Sequence, residues 1–371
     1  MNANDAVSLE EQFANLLAAY DEALADGRAD TPTPEALVPP PLRDRLRRAW
    51  ACLQRLKQDR PSSSSPPPSS PPLPLAGEIR LGRFELRREL GRGGFGIVFL
   101  AWDSWMRREV ALKVPRLEAF LIPELRRRFL HEARVAAGLN HPGIVPIYAA
   151  GEAGAVCYIA TAYCPGGNLA QWLSARTDPV SPRQAAALIV ALAEAVRYIH
   201  EHKIWHRDIK PSNILLQPLP SPTVDGLPFT PRLTDFGLAK LLKAHTPPTK
   251  YGTVLGTPAY MAPEQAAGRL QKIGPHTDVY ALGAVLYELL AGWPPFRGAD
   301  SLDVLRQVSE DNPVPPHRLR PGLPRGLERI CLKCLEKQPH ERYARAGELA
   351  ADLRRFLDGQ AIAPETGKSR P

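Results

Sequence analysis

The sequence contains little of what marks secreted or membrane-spanning proteins. Its 371 residues include five cysteines, and an odd count argues against a framework of disulfide bonds. No uninterrupted apolar stretch approaches the roughly 20 residues that a helix needs to cross a bilayer. The first residues, Met1 to Asp5, lack the basic and then apolar pattern of a secretion signal. We therefore expect a cytoplasmic protein without a membrane span, long enough for more than one domain.

An acidic excess is also absent, since the formal net charge is +8. Much of the positive charge lies in arginine clusters, such as Arg43, Arg45, Arg47 and Arg48, or Arg126, Arg127 and Arg128. No interleaving of aromatic and basic residues accompanies these clusters, so nucleic acid is not the expected partner. A solvated face or a preference for acidic protein partners fits this charge better. A nucleic-acid-associated regulator stays open as an alternative, and steep salt dependence of DNA binding would favour it.

One pair of cysteines has the spacing of a zinc or redox motif, in the run Cys331-Leu332-Lys333-Cys334. Leu327, Ile330 and Leu335 recur with the two cysteines at helical spacing, which predicts that both thiols face a core as small apolar groups. No second paired cysteine motif completes the four ligands of a structural zinc site. We therefore expect both cysteines to be packing residues.

Residues 1–60 have the pattern of a helical extension. Ser8 and Glu11 form a capping-box pattern, and apolar residues then repeat at helical spacing. These residues are Phe13, Leu16, Leu17, Tyr20 and Leu24, and a second amphipathic helix carries Leu42, Leu46, Trp50, Leu53 and Leu56. Residues 61–78 are rich in proline and serine and predict an extended, disordered linker. The two helices could pair together, dock on the rest of the chain or bind a protein partner; the sequence does not choose among these.

The most informative motif runs from His206 to Asn213 and reads His-Arg-Asp-Ile-Lys-Pro-Ser-Asn. It contains a carboxylate that can accept a hydroxyl proton, Asp208, and a lysine that can neutralise phosphate charge, Lys210. Asn213 and Asp235, the latter in a downstream Asp-Phe-Gly, can hold magnesium ions. These are the parts that phosphoryl transfer from ATP requires.

Two further motifs lie upstream. A glycine-rich stretch between predicted strands 84–86 and 97–100 indicates a β-hairpin, in which glycines let the backbone approach phosphates closely. Its residues are Leu90, Gly91, Arg92, Gly93, Gly94, Phe95, Gly96 and Val98. The next strand ends in Val-Ala-Leu-Lys, with Lys113 as its lysine, and a predicted helix over 125–135 contains Glu132.

Together these motifs resemble a eukaryotic-type, or Hanks-type, serine/threonine protein kinase, most like the eukaryotic-like kinases of bacteria. The resemblance implies an α+β, two-lobed kinase fold: a small antiparallel β N-lobe with one main helix, and a larger, mainly α-helical C-lobe. The catalytic domain would cover residues 84–357, with an N-lobe over about 84–163, a C-lobe over about 164–357, and a C-terminal tail over 358–371.

The resemblance also implies a role for each residue of the catalytic motif. Asp208 would accept or orient the proton of the substrate hydroxyl, and Lys210 would neutralise charge on the transferred phosphoryl group. Asn213 and Asp235 would hold Mg²⁺, with Mn²⁺ as an alternative ion. A pseudokinase scaffold would need a broken catalytic set, and every position of the set is intact here.

The nucleotide is expected in the cleft between the lobes, under the glycine-rich loop. Lys113 would bind the α- and β-phosphates, and an ion pair with Glu132 would orient it. Thr161 corresponds to the gatekeeper of the family. Backbone groups of Ala162 and Cys164 would hydrogen-bond the purine. Many members of the family have a glutamate where this chain has Ala162, but ATP binding should be little affected because the backbone makes the contact.

An activation segment would lie between Asp235 and Glu264. Arg207 precedes the catalytic aspartate, and in the family such an arginine pairs with a phosphorylated residue of this segment. Lys210 and Thr257 both favour serine or threonine substrates. We expect autophosphorylation, with self-association for transfer in trans; the candidate residues are Thr246, Thr249, Tyr251 and Thr253, of which Thr249 and Thr253 are favoured.

Other matching positions imply scaffold roles. Asp278 would support the backbone of the catalytic loop, Arg342 would pair with Glu264, and His206 and Phe236 would pack internally. The segment between the catalytic loop and the Asp-Phe-Gly departs from the family, because it is long and contains five prolines: Pro218, Pro220, Pro222, Pro228 and Pro231. We expect this segment to bulge on the surface without disturbing the metal-binding aspartate.

Overall fold

The computed structural model describes residues 79–93, 96–115, 123–153, 156–236 and 258–361. The predicted N-terminal helices, the linker and the four candidate phosphorylation sites lie outside these residues, so those expectations stay predictions. Within the described ranges, no helix combines the length and the apolar character needed to cross a membrane.

The described chain forms two compact units. The first contains residues 79–138 and 146–163, and the second contains the rest. Residues 139–145 group with the second unit because their backbone pairs there: the N–H of Val145 donates to the carbonyl of Leu233 at 2.9 Å. A contiguous N-lobe over 84–163 therefore differs from the compact unit by this short segment and by residues 79–83.

The first unit is built on an antiparallel sheet. Its strands are β1 (Ile79–Leu81), β2 (Phe84–Gly93), β3 (Gly96–Asp103), β4 (Arg108–Pro115), β5 (Ile147–Ala153) and β6 (Val156–Ala162). They are ordered β1-β2-β3-β4-β6-β5, and every neighbouring pair is antiparallel. Alternate side chains along a strand, such as Phe84 and Leu86 of β2 or Phe99 and Ala101 of β3, fill one core, as the period of two requires. One helix, α1 (Pro123–Ala137), lies against β5.

The glycine-rich loop lies at the tip of the β2–β3 hairpin, where Gly93 pairs with Gly96. The hairpin predicted from the sequence is therefore confirmed. A strand flanks the loop on each side, whereas the glycine motif of dinucleotide-binding proteins lies at the start of a helix.

The second unit is mainly helical. Its helices are α2 (Leu169–Ser174), α3 (Pro182–Glu201), α4 (Pro263–Ala266), α5 (Pro275–Ala291), α6 (Ser301–Glu310), α7 (Pro316–Leu319), α8 (Arg325–Cys334) and α9 (Ala346–Leu357). Helix α5 is buried on nearly every side, and α3, α8 and α9 pack against it. It ends at Gly292, whose φ of +90° is the left-handed conformation that glycine adopts at helix ends.

A short hairpin, β7 (Ile214–Pro218) and β8 (Phe229–Leu233), follows the catalytic loop in the second unit. The proline-rich connection between the strands is mostly exposed, and Val224 is 98% exposed. Arg183 of α3 forms an ion pair with Asp225 at 2.8 Å and so fixes the connection to the helix. The predicted surface bulge is confirmed.

Candidate active site

Three of the predicted catalytic and metal-binding residues form one hydrogen-bonded cluster in the second unit. Oδ2 of Asp208 accepts a hydrogen bond from Nδ2 of Asn213 at 2.9 Å and lies 2.9 Å from Nζ of Lys210. Asn213 also donates to the backbone carbonyl of Asp208 at 2.8 Å. The side chain of Asp208 is 23% exposed, so this carboxylate is oriented by its neighbours yet open to solvent.

The β7–β8 hairpin brings the fourth residue, Asp235, to the same end of the structure. Ile214 pairs with Leu233, and the N–H of Thr234 donates to the carbonyl of Asn213 at 3.0 Å. Asn213 therefore precedes the first strand and Asp235 follows the second, at one end of the hairpin. Asp235 has a φ of +64°, a left-handed conformation that aspartate tolerates better than most residues.

Asp278 of α5 supports the backbone of the catalytic loop. Its carboxylate is fully buried and accepts hydrogen bonds from the N–H of His206 at 2.9 Å and of Arg207 at 2.7 Å. His200 adds a contact from Nε2 at 2.8 Å. Burial alone would raise the pKa of Asp278, but the hydrogen bonds with His200 and with the backbone of Arg207 lower it overall. The predicted scaffold role is confirmed.

His206 and Phe236 are packing residues, as predicted. Nε2 of the buried His206 lies 3.0 Å from the carbonyl of Thr234, and Nδ1 accepts the N–H of Asp208 at 3.3 Å. The tautomer with its proton on Nε2 satisfies both contacts. The ring centroids of His206 and Phe236 are 4.9 Å apart. His206 therefore connects the catalytic loop to the segment that carries Asp235.

In the first unit, one glycine of the glycine-rich loop is sterically required. Gly96 has a φ of +140°, and a Cβ there would lie 2.1 Å from the carbonyl oxygen of Val114. A Cβ at Gly91 would meet no atom within 4 Å, so packing does not require glycine at that position. Gly94 and Phe95 lie outside the described residues. The remaining predicted loop residues lie on the flanking strands: Leu90, Arg92 and Gly93 on β2, and Val98 on β3.

Lys113 lies on β4, where it pairs with Val98 of β3 and Ile159 of β6. Because Leu112 points into the core, the next side chain points to the opposite face of the sheet. Lys113 is 9% exposed, an unusually buried position for lysine. Glu132 lies on α1, but its side chain is not among those described, so the ion pair with Lys113 stays a prediction.

The predicted purine-binding segment begins at the end of β6, which contains Thr161 and Ala162. Thr161 donates from Oγ1 to the carbonyl of Ala111 at 3.3 Å, and the N–H of Ala162 donates to the carbonyl of Pro146 at 2.9 Å. Cys164, in the second unit, is 5% exposed, and burial raises the pKa of its thiol. The thiol of Cys164 is therefore a packing group. The polar groups that the purine-binding segment could offer to a ligand are those of its backbone.

A family model for the protein kinase domain matches residues 84–352. This chain belongs to the protein kinase family. Among its relatives, the serine/threonine-protein kinase PknB of Mycolicibacterium smegmatis is 40% identical over 285 residues, which cover 75% of this chain and 44% of PknB. The serine/threonine-protein kinase PrkC of Bacillus subtilis is 36% identical over 289 residues, which cover 78% of this chain and 42% of PrkC.

The chain thus matches less than half the length of these curated kinases. The crystal structure of the kinase domain of Mycobacterium tuberculosis PknI is similar, with a TM-score of 0.58 and 27% identity; the match covers 76% of this chain and 98% of PknI's. The predicted Hanks-type family, its bacterial branch and the α+β kinase fold are confirmed.

The kinase domain contains the buried ion pair that the resemblance predicted. Arg342 donates to both carboxylate oxygens of Glu264, at 3.0 and 2.9 Å, and the hydroxyl of Thr277 donates to Glu264 at 2.7 Å. Burial alone would raise the pKa of Glu264, but the hydrogen bonds from Arg342 and its charge lower it overall.

The paired cysteines of the kinase domain face its core. Cys331 and Cys334 on α8 are fully buried, and burial raises the pKa of both thiols. A Cβ on Gly283 of α5 would lie 2.3 Å from Cβ of Cys334, which shows how closely the two helices pack. The packing interpretation is confirmed.

Gln265 and His200 are among the residues that contact this machinery through their side chains without having been predicted. Gln265 donates from Nε2 to the carbonyl of Arg207 at 2.9 Å, and His200 bonds Asp278. Gln265 and Arg207 are 58 residues apart in the sequence, and His200 and Asp278 are 78 residues apart. Gln265 follows Glu264, but no local pattern marks its contact with Arg207 or the contact of His200 with Asp278.

Proposed function

We propose that this protein is a kinase that transfers the γ-phosphoryl group of ATP to serine or threonine hydroxyls of proteins. The observation that carries the proposal is the Asp208 carboxylate, oriented by Lys210 and Asn213 and partly open to solvent. The names of the bacterial relatives, serine/threonine-protein kinases, support the same residue class of substrate.

In the proposed reaction, the hydroxyl oxygen of the substrate attacks the γ-phosphorus while the bond to the β,γ-bridging oxygen breaks. Asp208 orients the hydroxyl and takes its proton, and ADP leaves with the bond's electron pair. Lys210 is 2.9 Å from the same carboxylate, so its ammonium group is near the transferred charge and can stabilise it. Positioning and electrostatics supply the catalysis, with no covalent enzyme intermediate.

Asn213 and Asp235 fit a divalent cation. Both Nδ2 hydrogen bonds of Asn213 go to Asp208, which leaves the amide oxygen of Asn213 as its remaining acceptor. An amide oxygen and a carboxylate are the hard ligands that Mg²⁺ prefers, and Mn²⁺ accepts the same donors. A bound cation would neutralise the phosphates and orient them.

We propose that the glycine-rich loop and Lys113 of the first unit bind the ATP phosphates and that Glu132 orients Lys113. Backbone groups of Ala162, in the first unit, and of Cys164, in the second, would contact the purine. The close approach of β4 to Gly96 supports the loop assignment, because only glycine allows that hairpin tip to fold so tightly. The buried Lys113, on a regular strand, has a fixed position from which to act.

Incubation of the purified full chain with radiolabelled ATP and a generic protein substrate tests the proposal. We expect Mg²⁺-dependent labelling that chelation with EDTA abolishes and excess Mg²⁺ or Mn²⁺ restores. Hydrolysis of the labelled substrate should yield phosphoserine and phosphothreonine. Absence of transfer under all metal conditions, or labelling confined to phosphotyrosine, would contradict it.

We also propose autophosphorylation in trans within residues 240–257, with Thr249 and Thr253 favoured. The carbonyl of Arg207 is fixed by Gln265 and its N–H by Asp278, which holds this arginine beside Asp208. A phosphate brings about two negative charges that such a cation can bind. Phosphopeptide mass spectrometry after incubation with ATP and magnesium should find phosphate in this peptide. An unmodified 240–257 peptide in an active enzyme rules the proposal out.

A further inference from the structure

The sheet unit carries an exposed aromatic and basic surface that the proposed reaction does not use. The turn between β3 and β4 presents Trp105, which is 76% exposed, and Met106, which is 60% exposed. Arg107 and Arg108 follow, and the guanidinium of Arg108 lies 3.3 Å from the ring centroid of the half-exposed Tyr148. We call these five residues the Trp105 patch.

The turn fixes Trp105 before any partner binds. The buried carboxylate of Asp103 accepts the N–H of Trp105 at 3.1 Å and the N–H of Met106 at 3.2 Å. Arg83 forms an ion pair with Asp103 at 3.0 Å, and its guanidinium lies 5.1 Å from the Trp105 ring centroid. A preformed aromatic projection loses little conformational freedom on binding, and such anchors dominate the energy of interfaces.

The patch has an excess of positive charge. The charge of Arg83 is balanced by Asp103, but Arg107 and Arg108 have no carboxylate partner among the described residues. A complementary partner would therefore have an apolar face flanked by acidic side chains.

The first 30 residues of the chain have that chemistry. Their predicted helix has an apolar stripe around Phe13, Leu17 and Leu24, and at 3.6 residues per turn Glu10 and Asp21 fall beside the stripe. Although the whole chain has a charge of +8, this segment has a single arginine, Arg28, and seven acidic residues: Asp5, Glu10, Glu11, Asp21, Glu22, Asp26 and Asp30.

We propose that residues 8–26 dock on the Trp105 patch of the same molecule. Strand β1 begins at Ile79 and runs for three residues, about 10 Å, to a turn that contains Arg83. Residues 27–78 form the tether to this point. Its predicted helix over 42–56 would span about 20 Å, and its proline-rich residues 61–78 would extend by up to about 3 Å each. The segment can therefore reach the patch, and the tether makes the contact an intramolecular one with a high effective concentration.

Hydrogen exchange of the full chain, read by mass spectrometry in peptides over residues 9–24, tests the docking. We expect slow exchange in the wild type and exchange about tenfold or more faster in Trp105→Ala, because loss of an anchoring aromatic costs that much affinity or more. Trp293→Ala is the matched control: Trp293 is 40% exposed and lies beside Arg297, but in the other unit. It should leave the exchange of residues 9–24 unchanged.

A second experiment tests whether opposite charges contribute to the proposed docking. Glu10→Lys combined with Asp21→Lys should accelerate exchange in residues 9–24, and adding Arg107→Glu should partly restore the protection. Amides of the β3 and β4 core strands should exchange alike in all variants, because the altered patch side chains are exposed.

Three results would each overturn the proposal. Residues 9–24 could exchange freely in the wild type. Their protection could survive Trp105→Ala, as pairing with the predicted basic helix around Arg43 to Arg48 would produce. It could also appear only at high protein concentration, together with a dimer, which would identify the occupant as the segment of a second copy.

Discussion

Asp208→Asn should lower kcat for phosphoryl transfer to a protein substrate by about 100-fold or more. The amide oxygen can still accept the hydrogen bond that Asn213 donates to Oδ2 at 2.9 Å, so the loop should keep its conformation. The amide, however, has almost no affinity for the hydroxyl proton and removes the negative charge beside Lys210. The thermal unfolding midpoint should stay near that of the wild type, so the loss will report on chemistry.

The matched control is Asp178→Asn, an exposed aspartate of the same unit that lies outside the catalytic loop. It should transfer phosphate at the wild-type rate. Equal kcat values for Asp208→Asn and the wild type in the radiolabel assay would refute the role of Asp208, and with it the proposed mechanism.

Arg342→Met should destabilise the helical unit by about 3–5 kcal/mol, the usual cost of leaving a buried charge without its partner. The side chains of Arg342 and Glu264 are 0% and 3% exposed. Arg342 also donates to the backbone carbonyls of Glu336, His276 and Lys337. Methionine fills a similar volume but supplies no donor, so the carboxylate loses both guanidinium hydrogen bonds and keeps the hydroxyl of Thr277 and a 3.8 Å contact with His276. Urea unfolding followed by a probe of the helical unit measures the change.

Two variants show where that cost arises. Arg345→Met removes an exposed arginine three residues away and should change the free energy of unfolding by less than about 0.5 kcal/mol. Glu264→Met in the Arg342→Met background removes the uncompensated charge and should recover part of the stability. Recovery should be incomplete because three backbone carbonyls still lack their donor. A stable Arg342→Met single variant would mean that the ion pair contributes little.

The destabilisation caused by Arg342→Met should depend on pH, because Glu264 is titratable. In the wild type the pKa of Glu264 is lowered, so its contribution is present above the unfolded pKa of about 4 and is lost as pH falls through the folded pKa. In Arg342→Met, Glu264 is still buried but has lost the guanidinium of Arg342, so its protonated form is favoured. The stability deficit of the variant should therefore shrink as pH is lowered from 7 towards 4. A deficit independent of pH would point to lost packing instead of lost charge.

The sequence by itself determined the kinase family, the fold class and the identity of the candidate catalytic residues. It could do so because short motifs combine a residue's chemistry with its local backbone: Gly96 in a hairpin tip, or Asp208 and Asn213 five positions apart on one loop. Helical periodicity also predicted the core position of Cys331 and Cys334.

The resemblance implied the support of the catalytic loop by Asp278, but only the tertiary structure showed the other distant groups that contact this machinery. His200 and Gln265 contact the machinery across 78 and 58 residues of sequence, and residues 139–145 join the helical unit through backbone pairing with Leu233. It also decided that Trp105 lies exposed, close in sequence to Arg107 and Arg108, which pair with no carboxylate in the described part of the chain. A local pattern fixes a residue's conformation and its face, but its long-range partners depend on how the whole chain packs, and no sequence window contains that information.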